Sequence, residues 1–216
     1  MHFNLRKQFC ILVLMMILFN SKNFSQSNRW ISLFDGKTLN GWKVGDNAST
    51  FSVDSGMIKV NGNTAHLFYD GPVENHNFKN FEFKADVMTR PHSNSGIYIH
   101  TQFQQGGWPA KGYEVQVNNS HTDWRRTGSL YAIQDVKAVI VPDNVWFTMY
   151  IKVVGKEIII KINDSTVVDY TEPANLQRPD DMKERVLSSG TFALQGHDPG
   201  STVYFKNIMV KPLDEK

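Results

Sequence analysis

From Phe81 to Met88, the residues Phe81, Phe83, Ala85 and Val87 alternate with Glu82, Lys84, Asp86 and Met88. Successive side chains of an extended strand point to opposite faces, so this run is a strand with one buried face, and no helix accommodates it. Arg90-Pro91 ends it, because proline cannot continue a hydrogen-bonded ladder. The theme recurs along the chain. Phe51 to Val60 reads as a hairpin about Ser55-Gly56, and Ala65 to Tyr69 as a strand. Val145 to Val154 and Lys156 to Asn163 pair around Gly155, with Phe147, Met149, Ile151 and Val153 answering Ile158, Ile160 and Ile162. Thr166 to Tyr170, Thr191 to Gln195 and Val203 to Val210 complete the second half. Between Trp30 and Trp42, the steps Asp35-Gly36 and Asn40-Gly41 mark tight turns. Only Glu172 to Arg185 has helical or loop character, and Pro173 and Pro179 keep any helix short. Roughly ten to twelve short strands with no βαβ unit predict an all-β fold, a two-sheet antiparallel β-sandwich.

The first residues stand apart. Arg6 and Lys7 precede an apolar run from Phe9 to Phe19, which gives way to the small and polar Ser21 to Ser27. That layout is a secretory signal peptide over residues 1–25, leaving 26–216 as a single domain. The apolar run is too short to cross roughly 30 Å of hydrocarbon as a helix, so the mature chain carries no membrane span. Cys10 leaves with the signal, and a mature chain without cysteine has no disulfide framework, which suits the bacterial periplasm. Taking Arg6, Lys7 and Lys22 from 23 basic residues, against 21 acidic ones, turns a net charge of +2 into −1. Nothing in that balance attracts nucleic acid or an anionic membrane.

Three central runs, each alternating as a half-buried strand does, carry the chemistry: Ser95 to His100, Gly112 to Val117 and Thr127 to Gln134. With Ile97 and Ile99 inward, Tyr98 and His100 face out. With Tyr113, Val115 and Val117 inward, Glu114, Gln116 and Asn118 face out together. Tyrosine, histidine, glutamate and amides on one face suit a sugar site, and equally a solvated sheet face. The glycine-rich loop after His100 carries Trp108, either a sugar-stacking platform or a ring tucked into the core. The next loop carries Arg125 and Arg126, either a clamp on a ligand or a solvated basic segment. Tyr131 stands beside them as a further ligand-binding candidate.

No nucleophile elbow, zincin helix, phosphate loop or cysteine nucleophile occurs, and no two histidines stand at i, i+2 or i, i+4. Glu114 is the one acid among the outward positions of its strand, while amides occupy the next two. Retaining glycosidases need two carboxylates about 5 Å apart, so double displacement is unfavoured here. One carboxylate beside histidine, tyrosine and amides suits proton abstraction by a general base.

Six ordered segments resemble one family: Trp30 to Lys43, Asn94 to His100, Gly112 to Val117, Thr127 to Ile133, the hairpin from Trp146, and Ala193 to Leu213. Together they resemble the secreted bacterial 3-keto-disaccharide hydrolases, formerly a domain of unknown function. The resemblance implies a concanavalin A-like jelly roll acting on glycosides already oxidised at C3. A C3 ketone acidifies C2–H, so one base can remove that proton and expel the C1 substituent, after which water adds. On this reading Glu114 is the base, and His100 and His197 supply the acid or stabilise the enolate. A divalent metal ion could serve the same end. Tyr98, Gln116, Trp108, Arg125, Arg126 and Tyr131 would hold an oligosaccharide or glycoside. The family's Gln-Asp-His-Gly tail reads Gln195-Gly196-His197-Asp198 here, with the acid on the other side of the histidine. A non-catalytic carbohydrate-binding module of the same fold is the alternative.

Overall fold

A computed structural model describes residues 29–214, so the signal-peptide expectation over residues 1–25 lies outside the described residues. Thirteen strands follow in chain order. They are β1 (Ile31–Ser32), β2 (Trp42–Val44), β3 (Phe51–Asp54), β4 (Met57–Val60) and β5 (Ala65–Tyr69). Next come β6 (Phe81–Thr89), β7 (Asn94–Thr101), β8 (Tyr113–Asn118), β9 (Phe147–Val154) and β10 (Glu157–Ile162). The chain closes with β11 (Ser165–Thr171), β12 (Thr191–Gly196) and β13 (Val203–Pro212). Helical structure among the described residues is limited to single 3-10 turns, and no helix there is long and apolar enough to cross a membrane.

The strands form two antiparallel sheets. One has the order β11-β10-β9-β6-β13-β4-β3, with β1 beside β13; the other is β2-β5-β12-β7-β8. The alternating faces of β6, β9 and β10 close on the second sheet, and Phe78, Phe81, Phe83 and Phe192 stack between the two at ring distances of 4.6–6.4 Å. The hairpin turn at Ser55-Gly56 takes positive φ at both residues (50° and 81°), which matches strand twist and needs the glycine. Trp42 is buried, with its indole N–H donating to the Leu33 carbonyl, and so pins the turn-rich segment to the body of the domain.

Two expectations are revised. Thr127 to Gln134 is not a regular strand: it lines the edge of β8 through Tyr131 N–H to Glu114 O and Gln116 N–H to Ser129 O. Positive φ at Gly128 and Ala132 keeps it irregular. And the outer face of the five-stranded sheet is not open to solvent. Loops 102–110, 119–136 and 172–190 cover it, so β7, β8 and β12 are buried on both faces.

Candidate active site

Glu114 stands opposite Tyr98 across the β7–β8 ladder, and Gln195 on β12 completes a three-strand floor. The Tyr98 hydroxyl donates to Glu114 Oε2 at 2.9 Å, and Gln195 Nε2 donates to Oε1 at 2.7 Å. Only 5% of Glu114 is exposed. Burial raises its carboxyl above the ordinary glutamate value, although the two hydrogen bonds and the charges of Arg185 and His197 pull the other way. Burial, then the Glu114 charge, holds the Tyr98 phenol well above its usual range, so it remains a donor. A fixed carboxylate with a raised pKa is what a general base near neutral pH requires.

Gly96, two residues before Tyr98 on the same face, makes room for this carboxylate. A Cβ there would lie 2.6 Å from Glu114 Oε1. Gly96→Ala is therefore expected to displace the carboxylate, and a reaction that relies on it should slow by about 10²-fold, the usual consequence of moving a reacting group by an ångström. Steady-state kinetics beside a thermal melt checks this; normal turnover in a folded variant would show that the carboxylate position is not critical.

The walls enclose about 270 Å³. Arg185 enters from loop 172–190, with Nη1 buried and bonded to no protein atom. Asn94 Oδ1, Gln116 Oε1 and Gln195 Oε1 are likewise buried acceptors that pair with no protein atom. Such groups cost about 1–3 kcal/mol each when left unpaired, so they cluster where a polar ligand is received. Trp108 keeps 48% of its surface exposed at the pocket mouth, its ring 5.4 Å from that of His197, so it is not a core ring. Tyr131 lines the opposite side.

His197 Nδ1 donates to Asp198 Oδ2 at 2.7 Å, which turns Nε2 away from the carboxylate. Burial pushes the Asp198 carboxyl up, but hydrogen bonds from His197, Ser201 and the Gly200 N–H outweigh it and hold it below the ordinary value. His121 Nε2 lies 3.9 Å from the same carboxylate oxygen. The ligand atoms of His121, His197 and Asp198 all fall within 4.8 Å of one another, close enough to share a cation. Against that use, His121 Nδ1 accepts the Asp123 N–H at 3.2 Å, whereas a histidine ligating through Nε2 carries its proton on Nδ1. The donor set fits a hydrogen-bonded His–Asp pair better than a metal cradle.

The structure brings Tyr98, Glu114, Gln116, Trp108, Tyr131 and His197 into one pocket, and does not bring His100, Arg125 or Arg126 there. His100 takes a φ of +53°, and the β7–β12 register shifts between Thr191 and Ala193. Alternation therefore fails at that residue, and its ring packs edge-on against Phe81 at 5.6 Å. One ring nitrogen meets the Lys79 carbonyl and the other accepts the Ser188 N–H. Burial lowers its pKa to about 4, so His100 is a neutral structural residue. Arg126 folds back onto the carbonyls of His121 and Asp123. Arg125 is ion-paired with Asp123 and Asp135, and its guanidinium carbon lies 4.6 Å from the Tyr131 ring centre, so it props the pocket wall from behind.

Sequence reasoning missed Asn94, Gln195 and Arg185. Gln195 and Asn94 were findable, since both lie on the same strand faces as His197 and Tyr98 by the period of two. Arg185 sits in an irregular segment and gives no local signal.

A sequence profile of the 3-keto-alpha-glucoside-1,2-lyase-like domain matches residues 29–211. A 3-keto-disaccharide hydrolase of Bacteroides thetaiotaomicron is 28% identical over 229 aligned residues, covering 86% of this chain and 79% of that protein. Among solved structures, a glycosyl hydrolase candidate from Parabacteroides distasonis superposes with a TM-score of 0.72 at 23% identity, covering 86% of this chain and 94% of the other. The carbohydrate-binding module CBM66 from Bacillus subtilis gives a TM-score of 0.57 at 14% identity, covering 79% and 95%. These two likenesses establish the jelly-roll fold.

Proposed function

Since this chain belongs to the 3-keto-alpha-glucoside-1,2-lyase-like domain family, we propose that it cleaves glycosides oxidised at C3 by elimination followed by hydration. The observation that carries this reading is Glu114, a single buried carboxylate fixed by Tyr98 and Gln195 on a pocket floor. The other acids of the lining stand on loops: Asp123 is ion-paired with Arg125, and Asp181 is exposed on a short turn.

Glu114 takes the C2 proton, and the C–H electron pair spreads over C2, C3 and O3 as an enolate. The unpaired Nη1 of Arg185 meets that developing negative charge. The enolate then expels the C1 oxygen, which collects its proton from His197 as general acid, with Asp198 holding the imidazole by its Nδ1. Water adds to C1 of the unsaturated sugar and gives its proton to His197, while the Glu114 carboxyl returns a proton to C2, so both groups are restored and the net change is hydrolysis. Asn94, Gln116 and Gln195 offer acceptors to the sugar hydroxyls, and Trp108 a face for the ring.

Turnover of a 3-keto-glucoside in D₂O is expected to place deuterium at C2 of the product sugar, because that C–H bond is rebuilt from solvent. Mass spectrometry or proton NMR reads it, and retention of the original hydrogen at C2, together with an unchanged rate for substrate deuterated at C2, would rule elimination out. Dialysis against EDTA assigns the His121–His197–Asp198 cluster: surviving turnover assigns it to proton transfer, and loss restored by a divalent ion assigns it to cation binding. The fold shared with CBM66 supports a second reading, a module that binds sugar without turning it over. Saturable binding of the 3-keto-glucoside with no product would assign that instead.

We further propose that the protein is secreted to the periplasm, on the basic, apolar and polar layout of residues 1–25. N-terminal sequencing after expression in a Gram-negative host is expected to begin close to Ser25 in the periplasmic fraction. An intact Met1 in the cytoplasm overturns it.

A further inference from the structure

A second cavity of about 300 Å³ opens on the same face of the five-stranded sheet, beyond the loop that carries Trp108. That volume is at the lower end of small-ligand pockets, about 300–1,000 Å³. Its floor is Phe68 on β5 with Thr101 and Thr191 on β7 and β12. Thr101 is 1% exposed, and its hydroxyl pairs with no protein atom although it lies at the cavity floor. A buried hydroxyl left unpaired is costly, and a hydroxyl-bearing ligand would satisfy it as donor or acceptor.

Above the floor stands Phe103, 37% exposed, an unusual position for a phenylalanine ring. The ring is not loose: Phe68 meets it edge-on at 5.4 Å, and the Lys43 ammonium lies 3.9 Å from its centre. The charged groups at the rim are each engaged. Asp70 faces His76 at 3.7 Å, and the Lys111 ammonium donates to the Ser189 carbonyl. Asn75 presents its amide from a backbone held in the left-handed region at three successive non-glycine residues, Glu74, Asn75 and His76, with φ of 49°, 49° and 48°. Left-handed backbone outside glycine is strained and gathers at ligand clamps.

Rings connect this cavity to the Glu114 pocket. Tyr98, His66, Phe68 and Phe103 follow one another at centroid steps of 5.2, 6.2 and 5.4 Å. The loop lying over them presents Trp108 to one pocket and Phe103 to the other.

We infer that the Phe103 cavity is a second saccharide subsite, taking an unoxidised, neutral pyranose unit further along the chain whose oxidised sugar occupies the Glu114 pocket. Placing the oxidised sugar at Glu114 rests on the function proposed above; the binding of a neutral sugar at Phe103 does not. An aromatic face flanked by amide and hydroxyl groups, with Lys43 already held on the Phe103 ring and Lys111 on the Ser189 carbonyl, suits the C–H side and the hydroxyls of a pyranose.

The test is a heteronuclear NMR titration of the protein with maltotetraose and with cellotetraose, each beside its disaccharide. At least one tetrasaccharide is expected to shift amides at 101–103 and 190–191 and to bind more tightly than its disaccharide. Phe103→Ala is expected to weaken that binding by roughly tenfold, the loss of about 1.4 kcal/mol that one aromatic stack supplies. Asn75→Gly keeps the left-handed backbone, removes the amide and should weaken it less. The amide spectra of both variants report that they are folded. If neither tetrasaccharide shifts these amides, or Phe103→Ala leaves the affinity unchanged, the subsite is refuted. Binding at Phe103 without turnover of a 3-keto-glucoside leaves the subsite standing and overturns the proposed lyase chemistry; turnover without this binding does the reverse.

Discussion

Replacing Glu114 by glutamine is expected to slow aglycone release from a 3-keto-glucoside by about 10²–10⁴-fold, the range for losing a general base. Glutamine keeps the volume and still accepts the Tyr98 hydroxyl, but it cannot take a proton from C2. Gln195 can turn its amide to present Oε1, which now pairs with no protein atom, so the floor survives. Affinity for the keto sugar and the melting temperature should change little, and the loss should appear in kcat rather than KM. In the wild type, turnover should fall as pH drops through the raised pKa of Glu114, because only the ionised carboxylate accepts the proton. Glu114→Gln should lose that acid limb along with its rate. A variant that retains most of the activity, or keeps the limb, would place the base elsewhere.

Glu172→Ala is expected to cost stability first, and activity only through the loop that Glu172 holds. Glu172 is buried where β11 ends, and its carboxylate accepts the Tyr113 hydroxyl at 2.6 Å, the Leu187 N–H at 2.7 Å and the Lys156 ammonium at 2.5 Å. Tyr113 belongs to the five-stranded sheet and Lys156 to the β9–β10 turn of the other, so one carboxylate ties both sheets to loop 172–190. Arg178 extends the tie, donating to the Tyr113 hydroxyl and to the Arg185 carbonyl. Removing the acid leaves the buried Tyr113 hydroxyl and Leu187 N–H without that acceptor, together roughly 3–5 kcal/mol, while the largely exposed Lys156 returns to water. At about 2–4 °C per kcal/mol for a chain of this size, the melting temperature should fall on the order of 6–20 °C.

Acid should reproduce part of this effect. Burial alone would push the Glu172 carboxyl up, but the bonds from Lys156, Tyr113 and Leu187 hold its folded-state pKa below the ordinary value. Its contribution is therefore complete above the unfolded pKa, about 4.3, and disappears as pH falls through the lower folded value. The stability gap between wild type and Glu172→Ala should narrow in that window. Because the same loop delivers Arg185, residual activity of the variant should fall even where it is folded. An unchanged melting temperature at neutral pH would show that the tie carries no weight.

Most of the fold was legible residue by residue. Phe81 to Met88 and Phe147 to Ile162 alternate with the period of a strand, and a period of two decides which side chains share a face wherever the backbone stays extended. The same rule placed Tyr98, Glu114 and Gln116 together, since a slip of one residue would have buried a carboxylate in the aromatic core. It failed at His100, where one residue of positive φ and a register shift against β12 turn the ring from the pocket into the core.

By itself the sequence determined the sheets, the faces of their strands and the family, because each depends on short-range periodicity and on ordered segments. What it could not determine was which loops cover the outer face and what they bring to it. Arg185 reaches the Glu114 pocket only because Glu172 and Arg178 hold loop 172–190 across the edge of both sheets. Asp198 becomes the partner of His197 through a turn fixed by Ser201 and Gly200. The arginines that looked free, Arg125 and Arg126, are consumed by acids and carbonyls of their own loop. A guanidinium has several donors and a long stem, so its partner is decided by what the folded chain places within reach, and only tertiary structure decides that.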